Sequence, residues 1–342
     1  MKIKNINQIA CNLQLNKKFE NSSTLYQKKE NIIIEIISDS CIGYGEICTL
    51  NNFSHETFQE INWGFQAFIA SIDNTIEYSL NDLLILADIN CAHIPSLHFG
   101  IDTALYDMES KKNKLSLSLF LSSKALDSIK LSSLYTKQKK YYTDTIKYKL
   151  GINKIEQDIQ ILKLIQNENI NIKFRLDANR KYTFEEFKSL YQKLNNNIEY
   201  FEEPIKNPDT AMLQKIKSEM GVKIAIDESL YDGSDYKKWI KKGLIDTIII
   251  KPSILGGYEK NFNLCEFAKK YNIQVIFSSA LESSIGNAAT IHLAAITQNN
   301  KEHGLNIYNF YDTFKQQPLY QKYDTIVNLK SIVGLGYDRL SK

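Results

Sequence analysis

The pattern of hydrophobic and polar positions predicts an α+β domain over residues 1–127. The β-branched run Asn31–Ser38 (NIIIEIIS) predicts a strand, and the glycine-bounded stretch Gly43–Glu46 (GYGE) predicts the end of another. Ser54 is the predicted N-cap of a helix. The apolar positions of that helix recur at helical spacing and are Phe58, Ile61, Phe65, Phe68 and Ile69. A second helix is predicted from Ser96 to Ser110. Strands followed by helices are typical of α+β domains.

From about Ile129, short β-rich runs alternate with amphipathic stretches. The strand candidates are IKLSSLYT, TIKYKLG, NIKFRLDA, IEYFEE, VKIAIDES, LIDTIIIKPS, IQVIFSSA and GLNIYNF. The helical candidates are Lys154–Glu168, Phe184–Leu194, Met212–Met220 and Asn261–Tyr271. Such alternation predicts parallel βαβ units, and eight strands predict a closed barrel. The predicted fold is therefore α/β, with a modified (β/α)-type TIM-like barrel over residues 128–317.

Two segments depart from this regular alternation of strands and helices. The stretch Lys137–Asp144 between the first two barrel strands is short for a helix, so that unit is predicted to be degenerate. Residues 318–342 are mixed in pattern and are predicted to return to the N-terminal domain and complete it. Because no long Pro-, Gly- or Ser-rich linker marks a boundary, we expect the two domains to pack closely.

Charge and cysteine content narrow the class of protein. The 342 residues carry 42 basic and 39 acidic side chains, a formal net charge of +3, which gives no reason to expect a nucleic-acid partner. Five cysteines without a CxxC motif argue against a disulfide framework or a zinc site and favour a reducing compartment. No apolar run approaches the roughly 18 residues of a membrane span. We expect a cytoplasmic protein acting on a small molecule, and the sequence leaves its oligomeric state open.

Charged residues end four successive predicted strands at nearly equal intervals. Asp177, Glu202, Asp227 and Lys251 are separated by 25, 25 and 24 residues. That spacing is about one βα unit, so the four side chains are predicted to lie together at the C-terminal mouth of the barrel. One acid at a polar strand end is unremarkable, but three in register repel each other unless a cation neutralises them. An all-oxygen site suits Mg²⁺ or Mn²⁺ better than zinc.

A pair of lysines supplies the candidate chemistry. Strand periodicity puts Lys147 and Lys149 on one face and Tyr148 on the other. Two adjacent ammonium groups lower the pKa of at least one, which makes a lysine usable as a base. Lys251 is predicted to lie across the mouth from them. With a metal-bound carboxylate between the lysines, this arrangement suits proton abstraction α to a carboxylate through an enediolate. The alternative is that the lysines face solvent, although a parallel barrel strand has little solvent face.

The order of these motifs resembles a known family. K-x-K at residues 147–149 is followed by RLDAN (175–179), EEP (202–204), IAIDESL (224–230), IKPS (250–253) and FSSALESSIGN (277–287). Residues 43–57 and 95–104 are similar to capping-domain signatures of the same enzymes. Together they resemble the ortho-succinylbenzoate synthases, in the muconate-lactonizing branch of the enolase superfamily. The resemblance covers nearly the whole chain, and it makes the N-terminal α+β domain a capping domain.

The resemblance implies a function. It implies a carbon–oxygen lyase of menaquinone biosynthesis that dehydrates a cyclohexadiene hydroxyacid to 2-succinylbenzoate. In that family, the residue matching Lys149 is the base and then the acid of a syn elimination. Lys147 would tune it, and Lys251 would offer its cation to the opposite face of the ring.

The resemblance also implies which residues hold metal and substrate. Asp177, Glu202 and Asp227 would hold Mg²⁺. Glu203 and Glu228 would support the site without binding metal. The residues expected to contact substrate or to order the site around it are Arg175, Asn179, Ser279, Ser283 and Gly286.

Other functions stay open at this point. An N-succinylamino acid racemase or another acylamino acid racemase uses the same two lysines. Dipeptide epimerases carry an Asp-x-Asp on the eighth strand for the substrate ammonium group, which residues 306–309 (NIYN) do not supply. The region 303–312 also lacks the glycine-rich end expected of the resembling family. A non-catalytic metal-binding barrel would have lost a lysine or a carboxylate. A phosphate-binding barrel, suggested by Gly256-Gly257 and by residues 283–286, would conflict with the acidic mouth.

Overall fold

The N-terminal sheet consists of long antiparallel strands. A computed structural model describes residues 1–20, 25–136, 142–194 and 197–340. Strands β1 (Ile3–Glu20), β2 (Leu25–Ser38) and β3 (Ile42–Ile47) form an antiparallel sheet in the order β1-β2-β3. Strand β1 was not predicted, because only its central positions Cys11, Leu13 and Leu15 alternate as buried apolar residues with exposed polar ones. The sheet thus has one more strand than the sequence analysis predicted.

Four helices follow this sheet, and the third of them packs against it at very short distance. They are α1 (Phe58–Ala70), α2 (Leu80–Cys91), α3 (Pro95–Lys112) and α4 (Leu117–Leu121). A Cβ at Gly43 would lie 2.0 Å from the carbonyl oxygen of Ala104, and one at Gly45 would lie 1.8 Å from that of Gly100. Only glycine therefore allows the backbones of β3 and α3 to approach this closely.

Helix α1 begins later than predicted. Its N-cap is Thr57, whose hydroxyl accepts from the amide of Glu60 while the Glu60 carboxylate accepts from the amide of Thr57 at 2.7 Å. The prediction of Ser54 as the cap was wrong, because the Ser54 hydroxyl instead accepts from the amide of Leu50. A reciprocal capping box satisfies two amides at once and outcompetes a single hydroxyl.

The second part of the chain is a curled sheet of parallel strands. The strands are β4 (Ser128–Leu131), β5 (Ser133–Leu134), β6 (Thr145–Lys149), β7 (Lys173–Asp177), β8 (Ile198–Glu202), β9 (Ile224–Ile226), β10 (Thr247–Ile250), β11 (Gln274–Phe277) and β12 (Glu302–His303). Strands β5 to β11 pair in sequence order. Gly304 donates to the Phe277 carbonyl and accepts from the Ser279 amide, while β12 pairs in parallel with β4. The sheet therefore closes into the predicted barrel.

Helices alternate with the strands as predicted. They are α5 (Ile155–Glu168), α6 (Phe184–Lys193), α7 (Thr210–Met220), α8 (Tyr236–Lys241), α9 (Pro252–Leu255), α10 (Tyr258–Lys270) and α11 (Ser284–Ile296). Their apolar faces cover the outside of the barrel. In α6, for example, Phe187 is fully buried and meets Phe201 of β8 edge to face, with ring centroids 4.9 Å apart. The predicted degenerate connection falls on residues 137–144, of which 137–141 lie outside the described residues.

The eighth strand and the C-terminal segment differ from expectation. The predicted strand GLNIYNF is replaced by β12 at residues 302–303, followed by a 3₁₀ turn at Ile307–Asn309. The Asn306 side chain accepts from the Tyr308 amide and starts this turn, which competes with an extended chain. Strand β13 (Ile326–Asn328) pairs antiparallel with β4, whereas Leu335 donates to Asp107 of α3. Residues 318–340 therefore contact both parts of the molecule.

Two further predictions concern thiols and membranes. All five cysteines lie within the described ranges and are free thiols, as the sequence predicted. Among the described residues, no helix is both long enough and apolar enough to cross a membrane.

Candidate active site

A pocket opens at the C-terminal ends of the barrel strands. It encloses a cavity of about 100 Å³. The barrel contributes charged residues at its floor and serines on its walls. The loop after β3 covers one side with Leu50 and Phe53, and the residues after β12 contribute Asn309 and Phe310. The predicted mouth of the barrel is therefore the location of the pocket.

Lys147 and Lys149 both line this pocket, as strand periodicity predicted. Tyr148, between them, points outward and donates to Asp158 of α5 at 2.7 Å. Burial lowers the pKa of Lys149. The nearby charges of Lys147 and Lys251 lower it further, and Asp177 opposes them. The ammonium form of Lys149 is thus less stable than that of an ordinary lysine.

Two carboxylates lie on the neighbouring strands in register with Lys149. Lys149 pairs with Asp177 across β6 and β7, and Asp177 pairs with Glu202 across β7 and β8. Lys147 Nζ lies 2.9 Å from Asp177 Oδ2 and 2.7 Å from Glu202 Oε1. Burial, together with repulsion from Asp177, raises the pKa of Glu202 well above its ordinary value. Burial also opposes ionisation of Asp177, but the adjacent Lys147 and Lys149 hold its pKa below the ordinary value.

Lys251 lies on the other side of the pocket, four strands from Lys149. Its ammonium contacts Asp227 Oδ2 and lies 4.4 Å from the centre of the Phe53 ring. Its backbone amide donates to the Tyr231 hydroxyl at 2.8 Å, and the Tyr231 ring meets Phe53 edge to face. The loop that carries Phe53 therefore contacts the lysine of the sixth barrel strand directly.

The carboxylates fit a hard divalent cation by chemistry. The buried oxygens Glu202 Oε2 and Asp227 Oδ1 have no hydrogen-bond partner, which is costly for carboxylates unless a cation binds them. All donors are oxygens, the set that Mg²⁺ prefers. In the described part of the chain, however, no group of three or more His, Cys, Asp or Glu is placed to hold a metal ion. The acids Asp177, Glu202 and Asp227 contact Lys147 or Lys251 instead. A bound Mg²⁺ ion would therefore compete with the ammonium groups of Lys147 and Lys251 for these carboxylates.

A second layer of charged groups orients these acids. Glu203 Oε1 accepts from the amides of Asp227 and Ser229, and Glu203 Oε2 accepts from Arg180. Asn179 Nδ2 donates to Glu228 at 2.9 Å. Asn179, Arg180 and Glu203 all have left-handed φ angles, between 42° and 59°, which non-glycine residues adopt only when the surroundings hold them. Arg180 was not singled out by the sequence analysis, although its place directly after RLDAN was a usable signal.

The predicted substrate residues separate into two groups. Asn179 and Ser279 line the pocket. Arg175 does not, because it lies inside the barrel with its Nε 2.7 Å from Glu199 and its Nη1 2.6 Å from the Glu302 carbonyl. Ser283 and Gly286 also lie behind the pocket wall, where both donate to Glu46. The lining residues that sequence reasoning missed are Leu50, Phe53, Ser132, Ser133, Leu134, Ser278, Leu281, Gly304, Asn309 and Phe310.

Comparison with known proteins identifies the family. Residues 132–338 match the family described as Enolase C-terminal domain-like. A hydrophobic dipeptide epimerase of Enterococcus faecalis is 28% identical over 324 residues, covering 87% of this chain and 88% of the relative. The o-succinylbenzoate synthases of Aliivibrio salmonicida and Bacillus subtilis are 27% and 24% identical. The alignments cover 85% of both chains for the former, and 87% of this chain and 83% of the relative for the latter.

Solved structures agree on the fold. The dipeptide epimerase of Enterococcus faecalis V583, complexed with Mg and the dipeptide L-Leu-L-Tyr, superposes with a TM-score of 0.85 at 25% identity, over 98% of this chain and 99% of that one. Muconate lactonizing enzyme of Pseudomonas putida superposes with a TM-score of 0.79 at 19% identity, over 98% and 96%. The likeness to the second structure shows the fold alone.

Proposed function

The chain belongs to the enolase superfamily, in its muconate-lactonizing branch, and on that premise we propose that it removes water from a cyclohexadiene hydroxyacid to give 2-succinylbenzoate. The reaction is the elimination that the resemblance implied, and it would serve menaquinone biosynthesis. Proton abstraction next to a carboxylate needs a base, a cation to hold the carboxylate, and a dry pocket. Lys149, the acids Asp177, Glu202 and Asp227, and the wall formed by Leu50 and Phe53 provide groups suited to each.

The observation that carries the proposal is the distribution of acids in the pocket. The acidic side chains that line it in the described residues are Asp177, Asp227 and Glu228, which end strand β7 or directly follow strand β9. The opposite walls present serines, Asn309, Leu281 and Phe310. A dipeptide would bring a free ammonium group that needs a carboxylate partner when buried. A substrate whose remote end is a neutral ring and a succinyl group has no such need.

Lys149 carries the proton in this proposal. In its neutral form it takes the proton from the carbon next to the substrate carboxylate. The resulting ammonium then returns a proton to the departing hydroxyl on the same face, so water leaves by syn elimination and Lys149 is neutral again. Lys147, held between Asp177 and Glu202, keeps a positive charge beside Lys149 and disfavours protonation of that base.

Lys251 and the acids act on the charge that the proton leaves behind. Lys251 faces the opposite side of the substrate, where its cation stabilises negative charge that spreads over the ring. Asp177, Glu202 and Asp227 would hold Mg²⁺, which when bound neutralises the substrate carboxylate and makes the adjacent C–H more acidic. The buried oxygens Glu202 Oε2 and Asp227 Oδ1, which have no hydrogen-bond partner, support this assignment.

N-succinylamino acid racemisation is the second candidate. It is favoured by the presence of a lysine on each side of the pocket, Lys149 on β6 and Lys251 after β10, because racemisation needs a base on each face of the α-carbon. The same pocket wall would accept its acyl group. Specificity between the two reactions depends on loop shape, so both are tested together.

One experiment separates the candidates. Purified protein with Mg²⁺ is incubated with the cyclohexadiene hydroxyacid, and loss of its absorbance is followed. A parallel reaction with N-succinyl-L-amino acids in deuterated water follows optical rotation and deuterium incorporation. We expect rapid dehydration with slower or no racemisation. Racemisation without dehydration would overturn the first choice, and epimerisation of L-Leu-L-Tyr alone would overturn both.

A further inference from the structure

A strained turn forms one wall of the pocket. Residues 278–283 follow β11, and Ser278, Ser279 and Leu281 line the pocket. Leu281 has a φ of +69°, a left-handed conformation that a branched side chain avoids unless its surroundings impose it. Leu281 is 2% exposed, so the strain is held inside the protein.

The groups that hold this turn come largely from the N-terminal domain. Asn31 Nδ2 of β2 donates to the Leu281 carbonyl at 3.1 Å, and Cys48 Sγ donates to the Ala280 carbonyl at 3.3 Å. Tyr311 contributes a further donor to the Leu281 carbonyl at 2.8 Å. The barrel alone therefore leaves the strained residue without part of its support.

Glu46 of β3 fixes the end of the same turn. Its Oε1 accepts from Asn31 Nδ2 at 2.7 Å and from the Ser283 amide at 2.8 Å. Its Oε2 accepts from Ser283 Oγ at 2.5 Å and from the Gly286 amide at 2.7 Å. Glu46 is 1% exposed, and each of its oxygens accepts two hydrogen bonds. A carboxylate is the side chain that accepts at both oxygens, and a glutamine would turn an NH₂ group toward donors.

We propose that Asn31 and Glu46 are positioning residues, which hold the 278–283 turn from the N-terminal domain and so set where Ser279 and Leu281 meet the remote end of the substrate. This inference rests on the proposed function, because it takes the turn as the wall that receives the succinyl group. The two residues touch no reacting atom. They lie behind the wall and fix its shape before substrate arrives.

Gly286 shows how little room this arrangement leaves. A Cβ at Gly286 would lie 2.9 Å from Glu46 Oε2 and 2.9 Å from the Glu282 Cβ. Glu282 in turn accepts from Ser279 Oγ and from the Ala280 amide. The Ser279 hydroxyl hydrogen is thus engaged by Glu282, and its oxygen also accepts from the Leu281 amide. Glu282 thus holds the start of the turn, and Glu46 holds its end. A shift of Glu46 should therefore change the position of Ser279.

The test compares Glu46→Gln and Asn31→Ala with Asp107→Asn. Asp107 is a matched control, since it is also a fully buried carboxylate of the N-terminal domain, accepting from Tyr44, Lys111 and Leu335 away from the pocket. We expect Glu46→Gln and Asn31→Ala to raise KM for the hydroxyacid by about tenfold while kcat changes by less than about threefold. Asp107→Asn is expected to lower thermal stability and leave KM unchanged.

Inhibition locates the effect within the pocket. With Mg²⁺ present, the two variants should weaken competitive inhibition by 2-succinylbenzoate by about tenfold, in line with their KM. Inhibition by benzoate, which lacks the succinyl group, should not change. Equal effects on both inhibitors, or the same KM change in Asp107→Asn, would overturn the proposal. If Glu46→Gln does not fold, Asn31→Ala carries the test, because it keeps the Glu46 carboxylate.

A failure of the proposed function is distinguishable from a failure of this inference. Wild-type protein that does not dehydrate the hydroxyacid overturns the function. The positioning role is then measured with the N-succinylamino acid that the wild type does racemise, using the same variants and the same KM comparison. An unchanged KM in both Glu46→Gln and Asn31→Ala overturns the positioning role whichever reaction is used.

Discussion

The three pocket lysines differ in what surrounds their charge. Lys147 lies between Asp177 and Glu202, and although burial opposes its charge, these acids raise its pKa well above the ordinary value. Lys251 contacts Asp227 and the Phe53 ring. For Lys149, burial prevails and the pKa is lowered. The surroundings of Lys149 therefore shift it toward the neutral form that a base requires.

Replacement of Lys149 tests that role. We expect Lys149→Ala to lower kcat by about 10³-fold or more, and Lys149→Arg to do the same, because a guanidinium keeps its charge and does not act as a base. Mg²⁺ affinity, measured by titration calorimetry, should stay within about threefold. Lys130→Ala, which removes an exposed lysine of β4, is the control and should keep wild-type activity. Substantial activity in Lys149→Arg would contradict the assignment.

Replacement of Glu202 tests the metal site. Glu202→Gln removes one anionic donor and should weaken Mg²⁺ binding by a factor on the order of 100, with loss of activity that excess Mg²⁺ partly restores. Glu199→Gln is a control on the same strand, since Glu199 pairs with Arg175 away from the pocket. It should change stability and leave the Mg²⁺ affinity unchanged. Equal Mg²⁺ affinity in wild type and Glu202→Gln would remove Glu202 from the metal site.

Residue spacing and strand alternation predicted several of the charged residues that line the pocket. Asp177 and Glu202 end strands β7 and β8, and the alternation of Lys147 and Lys149 was correct. The sequence analysis missed the wall residues, such as Phe53, Ser132 and Phe310. These come from loops of different parts of the chain, and loop conformation follows from tertiary contacts that no local pattern records.

At the scale of elements, helices α3 and α10 meet through a buried carboxyl group. Asp102 of α3 accepts from the amide of Tyr258, the first residue of α10, at 2.8 Å. Its other oxygen has no hydrogen-bond partner, and His98 Nε2 lies 3.5 Å away. Burial raises the pKa of Asp102 to about 7. The neighbouring charges of Asp88 and Glu259 act in the same direction.

This carboxyl group makes stability depend on pH. A folded-state pKa near 7, above the ordinary aspartate value of 3.8, means that the folded protein holds a proton that the unfolded chain has lost. The free energy of unfolding should therefore fall as pH rises from about 4 to about 7. Asp102→Asn keeps an acceptor for the Tyr258 amide and has no proton to lose. We expect its unfolding free energy, measured in urea at pH 5 and pH 8, to fall less than that of the wild type. Parallel pH profiles would contradict this.

Element prediction succeeded where the hydrophobic period was regular. Helices α5 and α6 lie within about one residue of their predicted bounds, because each has a regular apolar face, which in α5 includes Ile159, Leu162 and Ile165. The eighth strand was predicted at residues 304–310, which follow the actual strand β12 at residues 302–303. The predicted segment is apolar enough for a strand, but Asn306 begins a 3₁₀ turn there. Strand β1 was missed because many of its residues are polar and give no strand pattern of their own. Its extended conformation depends on pairing with β2.

At the scale of the whole molecule, the proposed Mg²⁺ should contribute to stability when it binds. A ligand that binds only the folded state stabilises it by about 2.7 kcal/mol at a concentration 100 times its Kd. We therefore expect added Mg²⁺ to raise the melting temperature, and a chelator to reverse the rise, as followed by scanning calorimetry. The rise should be strongly reduced in Glu202→Gln. An identical rise in that variant would indicate that Mg²⁺ binds elsewhere.

The closure of the barrel has a consequence for how the protein folds. The first barrel strand, β4, pairs with β12 on one side and with β13 on the other, and both partners lie more than 170 residues later in the sequence. Until those partners arrive, β4 presents two unpaired edges, which are templates for intermolecular association. Contacts so distant along the chain form slowly, because a long loop must close first. Aggregation during refolding should therefore depend on how quickly the late strands dock onto the early one.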